Sequence, residues 1–114
     1  MSVVIYHNPR CSKSRQTLAL LEENNVQPEI ITYLDTPPTV EQLKTLYSQL
    51  EVDGVRAMMR TKDDLYKELK LADATDEALF TAMAANPKLI ERPIVVANGK
   101  ARHGRPPEQV LEIL

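Results

Sequence analysis

The first 33 residues contain two short β-type segments separated by one helical segment. Residues 3–6 (VVIY) are mainly apolar and run into the turn-forming His7-Asn8-Pro9, and residues 29–33 (EIITY) are bounded by prolines. Between them, residues 12–25 carry apolar side chains at helical spacing, with Ser12 or Ser14 available as N-cap. This order predicts two parallel strands joined by a right-handed crossover.

The middle of the chain predicts helices. Thr39 and Gln42 form the capping-box pattern at the start of a helix that runs to Leu50. Further helical pieces are predicted over residues 53–59, 64–69 and 75–86. We interpret this region as a helical insertion.

The last part of the chain predicts a hairpin and a closing helix. Residues 93–97 and 100–103 are extended, and Asn98-Gly99 between them is the strongest short hairpin signal. A helix is predicted from Pro106-Pro107 to the end of the chain. The complete order predicts an α/β, thioredoxin-like fold with a mixed four-stranded sheet. The helical insertion falls between strands two and three of a single domain spanning residues 1–114.

The charge balance excludes some classes of function. Lys and Arg total 14 against 16 Asp and Glu, a net charge of -2, so no broad basic surface for nucleic acid is expected. No apolar run approaches the roughly 20 residues that a membrane span needs. The N-terminal sequence MSVVIYHN lacks the pattern of a signal peptide. We therefore expect a cytoplasmic protein that binds neither membranes nor nucleic acid.

Cys11 is the single cysteine of the chain, which also has two histidines. That set allows neither an intrachain disulfide nor a closed four-ligand zinc site, so no metal is expected. Cys11 lies between the first strand and the first helix, where helix N–H groups stabilise an anion. His7 and three cationic residues of the same segment also favour a reactive thiolate. The cations are Arg10, Lys13 and Arg15. The sequence is neither a C-x-x-C dithiol nor a C-x5-R phosphate loop, because Ser14 and Thr17 occupy the deciding positions.

Four segments resemble the glutaredoxin-coupled arsenate reductase family, and specifically its short bacterial arsenate-reductase-related members. They are YHNPRCSKSR at 6–15, VRAMMR at 55–60, ERPIVV at 91–96 and GRPP at 104–107. The resemblance implies that Cys11 is the nucleophile and that Arg60, Arg92 and Arg105 bind the oxyanion. It also implies that His7, Ser14 and Arg15 support the thiolate and its loop, and that Pro93 follows a cis peptide bond facing Cys11.

The resemblance further implies a reaction. Arsenate is reduced to arsenite for arsenic detoxification, with glutathione as co-substrate, glutaredoxin as the protein partner and no bound cofactor. We expect Cys11, Arg92, Arg105 and the first helix to converge on one partly open pocket. His103 is expected to be exposed and without a role.

Two alternatives remain open at this stage. Regulators resembling Spx share the fold and bind RNA polymerase, although they typically carry C-x-x-C. A thiol enzyme could also act on another oxyanion or on a glutathionylated substrate.

Overall fold

The structure, a computed structural model, describes residues 2–114. Its strands and α-helices follow the predicted order. They are β1 (Val3–Tyr6), α1 (Ser12–Glu23), β2 (Glu29–Ile31), α2 (Val40–Leu50), α3 (Asp64–Glu68), α4 (Asp76–Ala85), β3 (Ile94–Ala97) and β4 (Lys100–His103). Short 3-10 helices occupy Val55–Met58, Leu71–Asp73, Pro87–Leu89 and Pro107–Ile113.

The four strands form one mixed sheet in the order β2-β1-β3-β4. β1 runs parallel to β2 and antiparallel to β3, and β3 pairs antiparallel with β4. Ile5 lies at the centre, opposite Ile30 on one side and Val95 on the other. The predicted mixed sheet, with a βαβ opening and a closing hairpin, is confirmed.

Apolar side chains cover both faces of the sheet because residues alternate between the faces along each strand. On one face Ile5 and Val95 pack with Leu21 of α1 and with Val110 near the C-terminus. The other face packs against α2 and α4 of the insertion. The fully buried side chains of that second cluster include Leu43, Met58, Leu79, Met83 and Ile94.

The helix caps follow the predicted pattern in the insertion but differ at α1. Thr39 and Gln42 form both bonds of the capping box, and the Thr75 hydroxyl accepts from the Ala78 N–H. The predicted N-cap of α1 is wrong, because Cys11 occupies that position in place of Ser12 or Ser14. The Ser14 hydroxyl is used elsewhere, as described below.

Two predicted elements end differently. The second strand stops at Ile31 because the N–H groups of Asp35 and Thr36 donate to the Thr32 carbonyl and turn the chain. The closing segment is a 3-10 helix, and its buried side chains recur every third residue at Pro107, Val110 and Ile113. Three residues per turn is the 3-10 period, so this packing favours a 3-10 helix over the predicted α-helix.

Within residues 2–114, no helix combines the length and apolar character needed to cross a membrane.

Candidate active site

Cys11 is the N-cap residue of α1, so its side chain lies at the free N–H groups of the first helical turn. The residue is buried, with 9% of its surface exposed. Its own N–H donates to the Asn8 carbonyl, and its carbonyl accepts from the Arg15 N–H. The backbone on both sides of the thiol is therefore fixed.

The surroundings of Cys11 lower its pKa. Burial alone raises the pKa of the thiol, but the N–H groups of Ser14 and Lys13 and the charges of Arg92 and Arg105 outweigh it. These groups all stabilise the anion. The site therefore favours a thiolate, the nucleophilic form of cysteine.

Ser14 joins His7 to the backbone below the thiol. Its Oγ lies 2.6 Å from His7 Nδ1 and accepts a 3.0 Å hydrogen bond from the Asn8 N–H. Both side chains are buried, Ser14 completely. Burial lowers the pKa of His7, and the Arg15 charge lowers it further. We therefore assign a neutral His7 that supports the loop through Ser14.

Arg15 supports the same loop from its exposed side. Its Nη1 donates to the Pro9 carbonyl at 2.9 Å. Asn8 adds a further constraint to the loop, because its Oδ1 accepts from the Arg10 N–H. Local turns of this type are the ordinary use of Asn in loops, and the HNP sequence was the available signal.

Arg92 and Arg105 are brought together by backbone pairing below them. The Arg92–Pro93 peptide is cis, as the resemblance implied, and so is Arg105–Pro106, which was not predicted. The Gly104 N–H donates to the Pro93 carbonyl at 3.1 Å. Gly104 fits tightly there, because a Cβ atom would collide with Thr17 and Pro93. Arg105 therefore emerges beside Arg92.

The two guanidinium groups make different contacts. Arg105 Nε donates to the Arg92 carbonyl at 2.8 Å, while its Nη2 lies 3.8 Å from Cys11 Sγ. Arg92 Nε is buried and has no hydrogen-bond partner among residues 2–114. Arg105 thus contacts the thiol directly, and Arg92 retains an unused donor.

Arg60 reaches the same place from the helical insertion. The Arg60 N–H donates to the Leu89 carbonyl at 2.7 Å, and the Glu91 N–H donates to the Met58 carbonyl at 2.9 Å. These bonds pair the chain before Arg60 with the chain before Arg92. The Arg60 side chain also forms a 3.5 Å ion pair with Asp63, which Lys88 approaches at 3.6 Å.

A cavity of about 390 Å³ lies between these segments. Four cationic side chains line it, together with Asp63 and Glu91; the cations are Arg60, Lys62, Arg92 and Arg105. The cavity is therefore positively charged in a chain of net charge -2. Of the groups expected to converge, Arg92 and Arg105 line this cavity, and Arg60, which the expectation did not include, lines it as well. Cys11 is not one of the residues that line the cavity; its sulfur contacts Arg105, which is.

Comparison with known proteins identifies the family. The model of the ArsC family matches residues 6–113. The chain belongs to the ArsC family. YfgD of Escherichia coli K12, described as an uncharacterized protein, is 63% identical over 98% of this chain and 96% of its own length. A Haemophilus influenzae protein named arsenate reductase is 55% identical, with 100% of both chains covered.

A solved ArsC structure agrees closely with the fold described above. The structure titled arsenate reductase from Vibrio cholerae has a TM-score of 0.98 and 70% sequence identity, and the match covers 100% of this chain and 98% of that one. The resemblance drawn from the four motifs is confirmed at the level of the family and of the thioredoxin-like fold.

Two residues of this ArsC site were missed as functional candidates. Glu91 lies between Arg92 and Arg105, and its Oε1 is 3.4 Å from Arg92 Nη1 and 3.1 Å from Arg105 Nε. Tyr33 is almost fully buried, and burial raises the pKa of its phenol. The charges of Arg92 and Cys11 also act on Tyr33, which places this side chain beside the site. Its position in a predicted strand concealed that proximity.

The expectation that His103 is exposed is wrong. The residue is half-buried, and its Nε2 is buried without a hydrogen-bond partner among residues 2–114. Burial lowers the pKa of His103; Glu91 raises it and Arg105 lowers it. His103 is paired with Ile94 across the hairpin, and in this register the charges of Glu91 and Arg105 act on its imidazole, which the hairpin signal does not specify.

Proposed function

We propose that this ArsC protein reduces arsenate to arsenite through Cys11, with glutathione and glutaredoxin supplying the electrons. The observation that carries the proposal is the contact between Arg105 and the Cys11 sulfur at the edge of an arginine-lined cavity. A nucleophilic anion and a tetrahedral oxyanion repel each other in water. Cationic side chains around both reduce that repulsion and stabilise charge in the transition state.

The arginines suit an oxyanion for a second reason. A planar guanidinium donates two parallel hydrogen bonds to neighbouring oxygens of a tetrahedral anion. Arg92 Nε has no hydrogen-bond partner among residues 2–114, and the Arg60 side chain is one-third exposed and pairs with Asp63. We assign Arg60, Arg92 and Arg105 to oxyanion binding, and His7, Ser14 and Arg15 to support of the thiolate loop.

The chemistry proceeds in three balanced steps. The Cys11 thiolate attacks arsenic, so an S–As bond forms while the bond from arsenic to one hydroxyl oxygen breaks, and the departing hydroxide takes a proton from solvent and leaves as water. A glutathione thiolate then attacks the Cys11 sulfur, forming a disulfide. The S–As bond breaks with its electron pair remaining on arsenic, which is thereby reduced and leaves as arsenite. Glutaredoxin removes glutathione from Cys11 by thiol–disulfide exchange and restores the thiolate.

An external thiol is needed because the chain has one cysteine and cannot form its own disulfide. The proposal therefore places the protein in a reducing compartment, the cytoplasm. It needs no resident cofactor, since glutathione acts as co-substrate.

The test is an assay that couples arsenate reduction to NADPH oxidation through glutathione and glutaredoxin. We expect turnover with the complete system, and background rates when glutathione, glutaredoxin or Cys11 is removed. Cys11→Ser is the protein control. Equal turnover with thioredoxin and its reductase in place of glutathione and glutaredoxin would contradict the assigned electron route.

A further inference from the structure

Glu91 places a carboxylate in a cavity lined by four cationic side chains and by one other carboxylate, Asp63, which pairs with Arg60 and Lys88. Its Oε1 lies within 3.1 Å of Arg105 Nε and 3.4 Å of Arg92 Nη1. Its backbone is also held, because the Glu91 N–H donates to the Met58 carbonyl. The carboxylate is therefore built into the site and fixed between two of the arginines assigned to oxyanion binding.

A carboxylate at this position has a chemical consequence for the ligand. An ionised carboxylate only accepts hydrogen bonds, and a fully deprotonated oxyanion also only accepts them. Two hydrogen-bond acceptors that face each other repel. An oxyanion that keeps a proton instead donates a hydrogen bond from its hydroxyl group to the carboxylate. The remaining oxygens of the same ligand then accept from the guanidinium groups.

The hydrogen-bonding inventory of the cavity fits such a ligand. Among residues 2–114, the polar contacts of the Glu91 side chain are made by Oε1, which leaves Oε2 to accept a further bond. The Arg92 guanidinium retains the unpartnered Nε described above. An acceptor on Glu91 and a donor on the adjacent Arg92 match an oxyanion that carries both a hydroxyl group and charged oxygens.

We propose that Glu91 is a specificity-determining residue that selects oxyanions retaining a proton, such as hydrogen arsenate and hydrogen phosphate, over fully deprotonated ones such as sulfate. This inference rests on the proposed function, because it concerns the same oxyanion site. A site built to bond a ligand hydroxyl rejects the analogue that lacks it, since its own polar group is left unpaired. We expect the protein to bind hydrogen phosphate or hydrogen arsenate about tenfold or more tightly than sulfate.

The experiment measures protection of Cys11 from alkylation by a neutral reagent, with inorganic phosphate, arsenate or sulfate added at constant ionic strength. Hydrogen phosphate and sulfate are both dianions in mildly alkaline buffer. Comparing them therefore isolates the effect of the ligand's proton on binding. The wild-type protein is expected to be half-protected by phosphate or arsenate at roughly one-tenth the sulfate concentration or less. In Glu91→Gln the amide also donates, so sulfate should become nearly as effective as phosphate.

Two further variants make the result specific. Glu91→Asp keeps the carboxylate and should retain part of the discrimination. Glu51→Gln removes a carboxylate that pairs with Arg102 outside the cavity, and it should keep the wild-type ratio. Thermal unfolding of each variant checks that its fold is intact.

The inference is overturned if sulfate protects the wild-type protein as well as phosphate does, or if Glu91→Gln leaves the ratio unchanged. Either result leaves arsenate reduction by Cys11 standing. Failure of the proposed function has a different signature, namely a protein that discriminates between the anions but forms no arsenite.

Discussion

Arg105 Nη2 lies 3.8 Å from Cys11 Sγ, although the two residues are 94 positions apart in the sequence. The contact depends on β3 and β4 folding back beside β1, so that the segment after β4 passes the N-terminus of α1. The thiolate is therefore stabilised by the helix N-terminus and by a guanidinium from the last quarter of the chain. The complete fold, rather than the Cys11 loop alone, creates the reactive cysteine.

The first prediction separates the two roles of the arginines. Arg105→Ala should raise the pKa of Cys11, because the charge next to the sulfur is lost. Arg60→Ala should leave that pKa nearly unchanged, because Arg92 and Arg105, rather than Arg60, supply the charges that lower it. The rate of Cys11 alkylation as a function of pH measures both. A wild-type midpoint at or above about 8.5, the ordinary value for cysteine, would contradict the assignment.

The second prediction concerns turnover. Arg60→Ala, Arg92→Ala and Arg105→Ala should each lower arsenate reduction by roughly tenfold to a thousandfold, because each removes an oxyanion donor. The lysine variants should recover only part of the activity, since lysine keeps the charge but lacks the planar fork. Steady-state kinetics on folded variants provide the measurement. Wild-type turnover in a folded Arg92→Ala protein would exclude the proposed binding site.

The third prediction tests the support of the thiolate loop. Ser14→Ala removes the partner of His7 Nδ1, in a buried setting, and of the Asn8 N–H, in a partly buried one. The free energy of unfolding should fall by about 1–3 kcal/mol. Ser12→Ala is the matched control, because Ser12 is exposed on the same helical turn. Urea unfolding measures both variants, and equal stability of the two would argue against the assigned role of Ser14.

Most of the fold could be predicted from local sequence signals. The capping box at Thr39, the Asn98-Gly99 turn and the alternation of strands with helices each act within a few residues. The 3-10 form of the closing segment could not be predicted, because it depends on which faces of Val110 and Ile113 meet the sheet.

The candidate site was predicted less completely, and for a related reason. The arginines came from the family resemblance, since nothing local marks Arg60 or Arg105 as partners of Cys11. Glu91, Tyr33 and the half-buried His103 depend on strand register and on the pairing between residues 58–60 and 89–91. Contacts of that range have no short sequence signature.

The fourth prediction concerns stability at mildly acidic pH. Burial lowers the pKa of both His7 and His103 below 6.5 in the folded protein. The unfolded chain therefore binds more protons as the pH falls, and the free energy of unfolding should decrease below about pH 6.5. Urea unfolding between about pH 7.5 and 5.5 tests this, above the range of ordinary carboxyl titration. His103→Gln should flatten the profile, and an unchanged slope in that variant would exclude His103 as a contributor.

The most direct measurement of the central claim is the amount of arsenite formed per protein molecule, determined by separating arsenite from arsenate after incubation with glutathione and glutaredoxin. The wild-type protein should form many equivalents of arsenite, because thiol exchange restores Cys11 after each cycle. Cys11→Ser should form none above the protein-free background, although its arginine-lined cavity is retained. Absence of arsenite with the wild-type protein, or equal formation with Cys11→Ser, would contradict the account.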